Sequence, residues 1–115
     1  MAKMVTISLD GTTPSSAFPL LDSTLLRVYM PPLWTDSAIG LLESETELGT
    51  YNAVYDDEGV QITLAAGANR VLRIDERIMQ HARWCKLYAI NAQVAARSLK
   101  VQVVLLRELI GLGAV

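Results

Sequence analysis

The sequence predicts an all-β protein: a single antiparallel β-sandwich of jelly-roll type, with about eight strands, an N-terminal arm and a short apolar C-terminal tail. Short stretches alternate between apolar and polar residues, which is the period of a half-buried strand. Turn residues separate these stretches at nearly regular intervals, as in sandwiches. The chain has 115 residues, of which 51% are hydrophobic and 19% charged, enough for one packed core. We therefore assign residues 1–115 to one domain, with an arm or long loop at 10–23 and the tail at 109–115.

The first half of the chain predicts three strands and the arm. The first strand is Met4–Leu9, which alternates apolar and polar side chains and ends at an Asp-Gly turn. Thr12–Asp22 carries two prolines and a run of small polar residues, which is typical of a loop. Thr24–Met30 and Ala38–Ser44 are the second and third strands, separated by a proline pair that cannot donate to a ladder. The arm also holds four apolar residues that should dock on this domain or on a neighbour: Ala17, Phe18, Leu20 and Leu21.

The second half predicts five more strands. Strands four and five flank an acidic turn in which Gly59 takes the position that needs a positive φ. Between strands six and seven, Asp75 can cap a single helical turn whose Ile78 and Met79 cover the end of the sandwich. A polar, alanine-rich loop at Asn91–Ser98 precedes the last strand, which is the longest. The five strands are Thr50–Tyr55, Val60–Leu64, Arg70–Ile74, Trp84–Ile90 and Leu99–Leu109.

The residues that could perform chemistry are few. His81 and Cys85 are the one histidine and the one cysteine. On a strand they would lie ~13 Å apart, whereas a nucleophile and its base need contact at about 3 Å. Four soft ligands for zinc are not available, and the acids at Asp56–Gly59 are better explained as a solvated turn than as a calcium loop. We therefore expect no enzyme, no catalytic residue, no cofactor and no metal.

Charge is distributed unevenly along the chain. Residues 1–60 hold nine acidic and two basic residues, and residues 61–115 hold eight basic and three acidic ones. We favour pairing of acidic with basic strands inside one sheet; the alternative is a self-complementary contact between copies. Dispersed basic residues and a pI of about 5.3 argue against nucleic acid as a partner. No run approaches the ~20 apolar residues needed to span a membrane, and the N-terminus lacks the apolar run of a secretory signal.

The aromatic residues allow two interpretations. Six of them are spread over five elements, which is typical of core and rim packing in a sandwich. The alternative is a platform on which a sugar could stack. The residues are Tyr29, Trp34, Tyr51, Tyr55, Trp84 and Tyr88.

The segment from Tyr29 to Tyr88 resembles a recurring group of small tailed-phage virion structural proteins, over about half of the chain. The shared pattern is a Met-Pro-x-x-Trp-Thr start, an alternating strand ending in Ser and a Tyr-x-x-Val/Leu-Tyr-Asp-x-x-Gly hairpin. A Thr-Leu strand, an Ala-x-x-Arg turn and an Arg-Tyr-like strand follow. The same rhythm is similar to the discoidin, or galactose-binding-like, jelly roll. The matching residues are Met30, Pro31, Trp34, Thr35, Ser44, Tyr51, Tyr55, Asp56, Gly59, Thr63, Leu64, Asn69, Arg70, Asp75, Arg83 and Trp84.

This resemblance implies a non-enzymatic bacteriophage virion protein, made in the host cytoplasm. We expect a capsid cement or decoration protein that binds the major capsid protein or other virion proteins and forms homo-oligomers. The alternatives are a carbohydrate-binding module on a tail fibre or capsid surface, or a head–tail connection component. The residues expected to make the contacts are Phe18, Leu20, Leu21, Pro31, Pro32, Glu43, Glu45, Glu47, Ile110 and Leu112.

Overall fold

Nine strands carry the fold in the computed structural model, which describes residues 3–75, 77–79 and 82–106. All of them pair antiparallel, in two sheets, so the predicted all-β sandwich is confirmed. In chain order the strands are β1 (Lys3–Gly11), β2 (Phe18–Pro19), β3 (Ser23–Tyr29), β4 (Ile39–Ser44), β5 (Asn52–Ala53), β6 (Thr63–Leu64), β7 (Val71–Arg73), β8 (Trp84–Ala89) and β9 (Gln93–Leu105).

The strand order is that of a jelly roll. The first sheet has the order β1-β9-β3-β7, and the second has β2-β8-β4-β5, with β6 also paired to β4. Ala53 of β5 lies opposite Leu42, and Leu64 of β6 lies opposite Ile39, so β5 and β6 run along β4 as one interrupted strand. Counting them together leaves four strand positions in each sheet, with the chain changing sheets at every connection except the one after β4.

The core lies between the two sheets and is built from alternate residues of their strands. In β8, Cys85, Leu87 and Ala89 are buried, whereas the residues between them are half-buried on the outer face. In β9, Leu99 and Val101 face them from the first sheet and are buried as completely. Each large aliphatic side chain removed from water in this way contributes roughly 1.5–3 kcal/mol.

The predicted arm is a strand of the second sheet over part of its length. Phe18 and Pro19 pair with β8, and Ser15 is bonded to Leu87 through its amide and its hydroxyl, at 2.8 and 3.1 Å. Phe18 and Leu20 are buried in the core, so the expected docking of the apolar arm occurs on this domain itself. The sequence did not predict β2, because a strand of two residues is too short to show alternation and because proline is rare inside strands.

The last strand begins earlier than predicted. Residues 91–98 were expected to form a loop, but β9 starts at Gln93 and pairs with β1, with Ser98 opposite Ser8 and Gln93 opposite Gly11. The prediction of a loop was wrong because the segment has no apolar period; its strand conformation comes from the backbone ladder with β1. The final predicted residues of this strand, 107–109, and the tail lie outside the described residues.

An acidic hairpin interrupts the strand formed by β5 and β6. Tyr55 and Gln61 form a bridge, and the Asp56 carboxylate accepts the amides of Glu58 and Val60, each at 2.9 Å. Gly59 has a φ of 81°, which confirms the expected positive φ. The predicted strands at 50–55 and 60–64 are shorter than expected because the chain between them leaves β4 to form this hairpin.

The connection between β7 and β8 closes one end of the sandwich, as predicted. The carboxylate of Asp75 accepts the amide of Arg77 at 3.0 Å, and Met79 is fully buried below the turn. The side-chain hydrogen bonds from Arg77 lower the pKa of Asp75 to about 2. His81 lies outside the described residues.

A glycine in β4 makes room for an aromatic ring on the outer face of the second sheet. Gly40 lies opposite Tyr88, and a Cβ at Gly40 would overlap the tyrosine ring. The ring is also held by Gln61, whose amide nitrogen donates to the Tyr88 hydroxyl at 2.6 Å. The tyrosine therefore covers a position where the sheet has no side chain of its own.

We expect Gly40→Ala to destabilise the fold by about 1–3 kcal/mol, because the new methyl group displaces the Tyr88 ring. Urea unfolding of Gly40→Ala and of the wild type measures this cost. In a Tyr88→Ala background the cost should vanish, because the overlapping ring is gone. An equal cost in both backgrounds would contradict the proposed overlap.

Candidate functional site

The sandwich presents an apolar surface at the end that carries the connections β3–β4 and β8–β9, here called the upper end. Leu33 in the β3–β4 connection is 70% exposed, Ile90 in the β8–β9 connection is exposed, and Val94 at the start of β9 is 82% exposed. Exposed apolar residues grouped on loops are typical of contact surfaces. We define the upper loop surface as Pro31, Pro32, Leu33, Ile90 and Val94.

Buried polar residues hold the two connections of the upper loop surface together. The side-chain amide of Gln93 accepts the Thr35 amide at 2.8 Å and donates to the Thr35 carbonyl at 2.7 Å. The Ser37 hydroxyl accepts the Asn91 amide at 2.8 Å, and the Ser37 carbonyl accepts the Trp34 indole N–H at 3.2 Å. Gln93 and Ser37 are buried, so each of these bonds has at least one partner shielded from water, and the bonds pre-organise the two connections.

A second apolar feature lies at the opposite, lower end, between β1, the β2–β3 turn and the end of β9. This lower cleft has a volume of about 580 Å³. Leu20 and Val103 form its buried floor, and Leu21 is half-exposed at its edge. Its lining residues are Lys3, Pro19, Leu20, Leu21, Asp22, Ser23, Val103 and Leu105.

A third feature is a polar cleft of about 590 Å³ beside the β4–β5 connection. Ser44 closes this connection: its hydroxyl donates to the Thr46 carbonyl at 2.8 Å. The cleft has a mixed lining of carboxylates, hydroxyls, an amide and one exposed tyrosine. Its lining residues are Glu43, Ser44, Glu45, Thr46, Gly49, Thr50, Asn52, Ala53, Val54 and Tyr55.

Eight of the ten residues expected to make contacts are described, and they lie in different parts of the sandwich. Phe18 and Leu20 are buried in the chain's own core, where their side chains are not available to a partner, whereas Leu21 is 49% exposed. Pro31 and Pro32 belong to the upper loop surface. Glu43 and Glu45 line the polar cleft, the first half-buried and the second exposed, and Glu47 is exposed in the same connection. Ile110 and Leu112 lie outside the described residues.

Sequence reasoning missed most of the upper loop surface. Ile90 was expected inside a strand, and Val94 inside a polar loop that turned out to be β9. Apolar residues in a connection next to two prolines were the available signal. The sequence alone could not show that the β3–β4 connection lies next to the start of β9. The hydrogen bonds between Gln93 and Thr35 show it.

The acidic and basic halves of the chain meet within both sheets, and some of their charged side chains are grouped. Strands of the acidic half do pair with strands of the basic half, β1 and β3 with β9 and β4 with β8. Three basic side chains, Arg27, Arg73 and Lys100, lie together on the outer face of the first sheet. Six acids lie in β4 or on the connections next to β4, β5 and β6 of the second sheet: Glu43, Glu45, Glu47, Asp56, Asp57 and Glu58.

The aromatic residues divide between core and surface. Trp34 is 9% exposed and packs in the core, whereas Trp84 and Tyr88 are half-buried on the outer face of β8. Between them, the Lys86 ammonium lies 4.4 Å from the centre of the Tyr51 ring. Burial raises the pKa of Tyr51, and the nearby Glu47 carboxylate adds to this shift.

The Cys85 side chain lies in the core. It is fully buried in β8, and burial raises its pKa far above the ordinary value, with a smaller contribution from Glu43. A thiol in this environment stays protonated and is a poor nucleophile.

Among the described residues, no three His, Cys, Asp or Glu side chains are grouped so that they could hold a metal ion. Nor does any helix in the described part of the chain have the length and apolar character to cross a membrane.

The fold and these surfaces define a jelly-roll sandwich with apolar loops at one end and an apolar cleft at the other. The crystal structure of SPBc2 prophage-derived protein YomS has a similar fold: the TM-score is 0.56, and the match covers 90% of this chain and 94% of that chain at 12% sequence identity. At this identity the similarity concerns the fold alone. No protein-family model matches the chain, and no curated protein matches it in sequence.

We expect the native Cys85 thiol to react with iodoacetamide only after the core opens, because it is buried and protonated. Labelling followed by mass spectrometry should show modification at a rate limited by unfolding, and fast modification in urea. Fast labelling of the folded chain, at the rate of the denatured one, would place the thiol outside the core.

Proposed function

We propose that this protein is a bacteriophage virion structural protein, and specifically a capsid cement or decoration protein that binds the outside of the shell through its upper loop surface. The observation that carries the proposal is the fold shared with a prophage-derived protein over nine-tenths of both chains. The resemblance of Tyr29–Tyr88 to small virion proteins supports it from the sequence.

The upper loop surface has the properties that a capsid contact needs. Leu33 and Val94 are exposed apolar side chains; Leu33 lies in the β3–β4 connection, and Val94 follows Gln93, whose hydrogen bonds join that connection to the start of β9. A rigid apolar surface loses little conformational entropy when it binds. On a symmetric shell the same modest contact is repeated many times, so attachment gains from avidity.

In this proposal the protein acts by contact and not by catalysis. The partner is the major capsid protein or another virion protein, and the location is the assembled particle. The sandwich core is the rigid spacer between the contact surface and the opposite end. The three arginine and lysine side chains on the first sheet and the six acids around β4–β6 orient the chain on its neighbours more than they strengthen binding.

Replacing Leu33 and Val94 together by aspartate in the phage genome that encodes the chain should remove the protein from particles. We expect at least a tenfold lower copy number per purified particle, about 1.4 kcal/mol per contact, because two charges would have to be desolvated at the interface. Quantitative mass spectrometry of gradient-purified particles gives this number, and cryo-EM of wild-type particles gives the position of the chain.

The control for each added charge is Leu48→Asp, since Leu48 is 95% exposed at the lower end and its replacement adds one of the double variant's two charges away from the upper loop surface. Its copy number should stay at the wild-type value. Unchanged incorporation of the double variant would contradict the proposed surface. Wild-type particles without the chain would overturn the virion role, and density at the neck would assign it to the head–tail connection instead.

A carbohydrate-binding module on a virion surface is the second candidate, favoured by one observation. Trp84 and Tyr88 project from alternate positions of β8 onto an outer sheet face, and the polar cleft with Tyr55 and Asn52 lies on the same sheet. Half-exposed rings beside hydroxyl, amide and carboxylate groups can stack on a sugar and bond its hydroxyls.

For this candidate, a glycan array probed with the purified chain should show binding that is lost in Trp84→Ala and in Tyr55→Ala. Tyr55 is the sharper position, because it is 57% exposed and its loss should leave the fold intact. Leu33→Asn serves as the control at the other end. Binding that survives both aromatic replacements would rule out this sheet face as a sugar site.

A further inference from the structure

The outer face of the first sheet has a row of side chains that runs across all four strands. Met4 of β1 lies opposite Gln102 of β9. On the other side of β9, Gln102 lies opposite Arg27 of β3, and Arg27 lies opposite Arg73 of β7. Side chains directly opposite each other in an antiparallel pair share a face, with their Cβ atoms ~5 Å apart. None of the four is buried, so the row faces solvent.

A second row of side chains lies beside the first, two residues nearer the upper end of each strand. Thr6 of β1 is opposite Lys100 of β9. Lys100 is opposite Tyr29 of β3, and Tyr29 is opposite Val71 of β7. Residues two apart in a strand share a face and lie ~6.6 Å apart. We call the eight residues of the two rows the basic sheet face, because three of them are cationic and none is acidic.

The three cations of the basic sheet face are not neutralised within the described part of the chain. Arg27, Arg73 and Lys100 form no ion pair with any described residue. The Arg27 guanidinium donates to Oε1 of Gln102 at 2.9 Å, and this acceptor is neutral. Arg27 and Arg73 are directly opposite each other, and like charges at such positions destabilise a sheet. An anionic group bound between the two arginines would remove this repulsion.

Two acids lie in line with the basic sheet face but do not neutralise it. Asp75, two residues beyond Arg73, is paired with Arg77 at 2.8 Å. Asp10 of β1 is four residues from Thr6, which is ~13 Å along a strand. An anion from outside the described part of the chain is therefore the group that suits this face.

The basic sheet face also has exposed apolar side chains at two opposite corners. Met4 is 47% exposed on β1, and Val71 is 52% exposed on β7. A partner that covers the charges also covers these apolar groups, and a polypeptide has both acidic and apolar side chains with which to do so. Sheets that bind single-stranded nucleic acid stack its bases on several aromatic side chains, whereas this face has Tyr29 alone, and it is half-buried. These observations favour an acidic segment of a protein over a nucleic acid.

The spacing of the cations matches that of carboxylates in an extended segment. Arg27 and Lys100 lie on adjacent strands one row apart, which places their Cα atoms ~8 Å apart. Acidic side chains at alternate positions of an extended segment point to one side and are ~6.6 Å apart. Arginine holds a carboxylate through two parallel hydrogen bonds, and lysine holds one as a point charge. One carboxylate can therefore bind at the arginine pair and the next at Lys100.

We propose that the basic sheet face binds an acidic polypeptide segment of a partner protein. One carboxylate of the segment lies between Arg27 and Arg73, and the next lies on Lys100. Apolar side chains of the segment cover Met4 and Val71 at the corners. The basic sheet face shares no residue with the upper loop surface, so this binding goes beyond the virion role and does not depend on it.

Three variants of the full-length chain test the proposal. Arg27→Gln combined with Arg73→Gln removes the arginine pair, and Lys100→Gln removes the third cation. The matched control is Arg83→Gln combined with Lys86→Gln, which also removes two positive charges but at the start of β8 in the second sheet. Thermal unfolding establishes that each variant is folded.

Fluorescence anisotropy with a labelled peptide of alternating glutamate and threonine gives the affinity, at low ionic strength where screening is weak. The wild type and the control should bind this peptide equally well. The arginine double variant should bind about tenfold more weakly, because two charged hydrogen-bond donors are lost. Lys100→Gln should bind about threefold more weakly, as expected for one exposed charge pair. A peptide with glutamine in place of glutamate should not bind.

Absence of binding to the wild type would overturn the proposal, as would an equal loss of affinity in the control. Single-stranded DNA of the same charge is the competing probe. Tighter binding of the DNA than of the peptide, lost in the arginine double variant, would overturn the polypeptide assignment in favour of nucleic acid. Because these measurements need no phage particle, their failure would leave the virion role standing, and the particle experiment is decided separately.

Discussion

The pairing of β9 with two strands at once is the constraint on which the rest of the structure depends. This strand of 13 residues runs between β1 and β3, with Lys3 opposite Val103 on one side and Ser23 opposite Leu105 on the other. It joins the last part of the chain to the first two strands of the same sheet. Its inner residues then supply one wall of the core, against which β8 and β4 close.

The two ends of the sandwich differ because β9 starts at the upper end and stops at the lower end. At the upper end β9 begins at Gln93, whose buried side chain ties the β3–β4 connection to the β8–β9 connection and leaves Leu33 and Val94 facing outward. At the lower end β9 stops at Leu105, between β1 and the β2–β3 turn, and the gap there is the lower cleft. Both apolar surfaces are therefore consequences of where one strand starts and stops.

This arrangement suits a protein that works by contact. In a jelly roll the core lies between the inner faces of the two sheets, and the loops lie at the two ends. The sequences of these loops can therefore vary without loss of the core. Here the buried thiol of Cys85 and the cluster of aliphatic residues around it make a rigid centre. In the proposed role, the upper loop surface holds the virion partner and the core keeps that surface in position.

The sequence by itself determined the fold class, most strand positions and the turn at Gly59, because these depend on local period and turn chemistry. It also determined that Met79 caps the sandwich, since an apolar pair in a short turn has few other places to go. Only the tertiary structure decided that Phe18 belongs to a strand and that residues 93–98 belong to β9. Those segments lack a local pattern, and backbone pairing with β8 and β1 imposes their conformation. The tertiary structure likewise separated the expected contact residues, because surfaces are formed by residues distant in sequence, and their neighbours are defined only once the two sheets have packed.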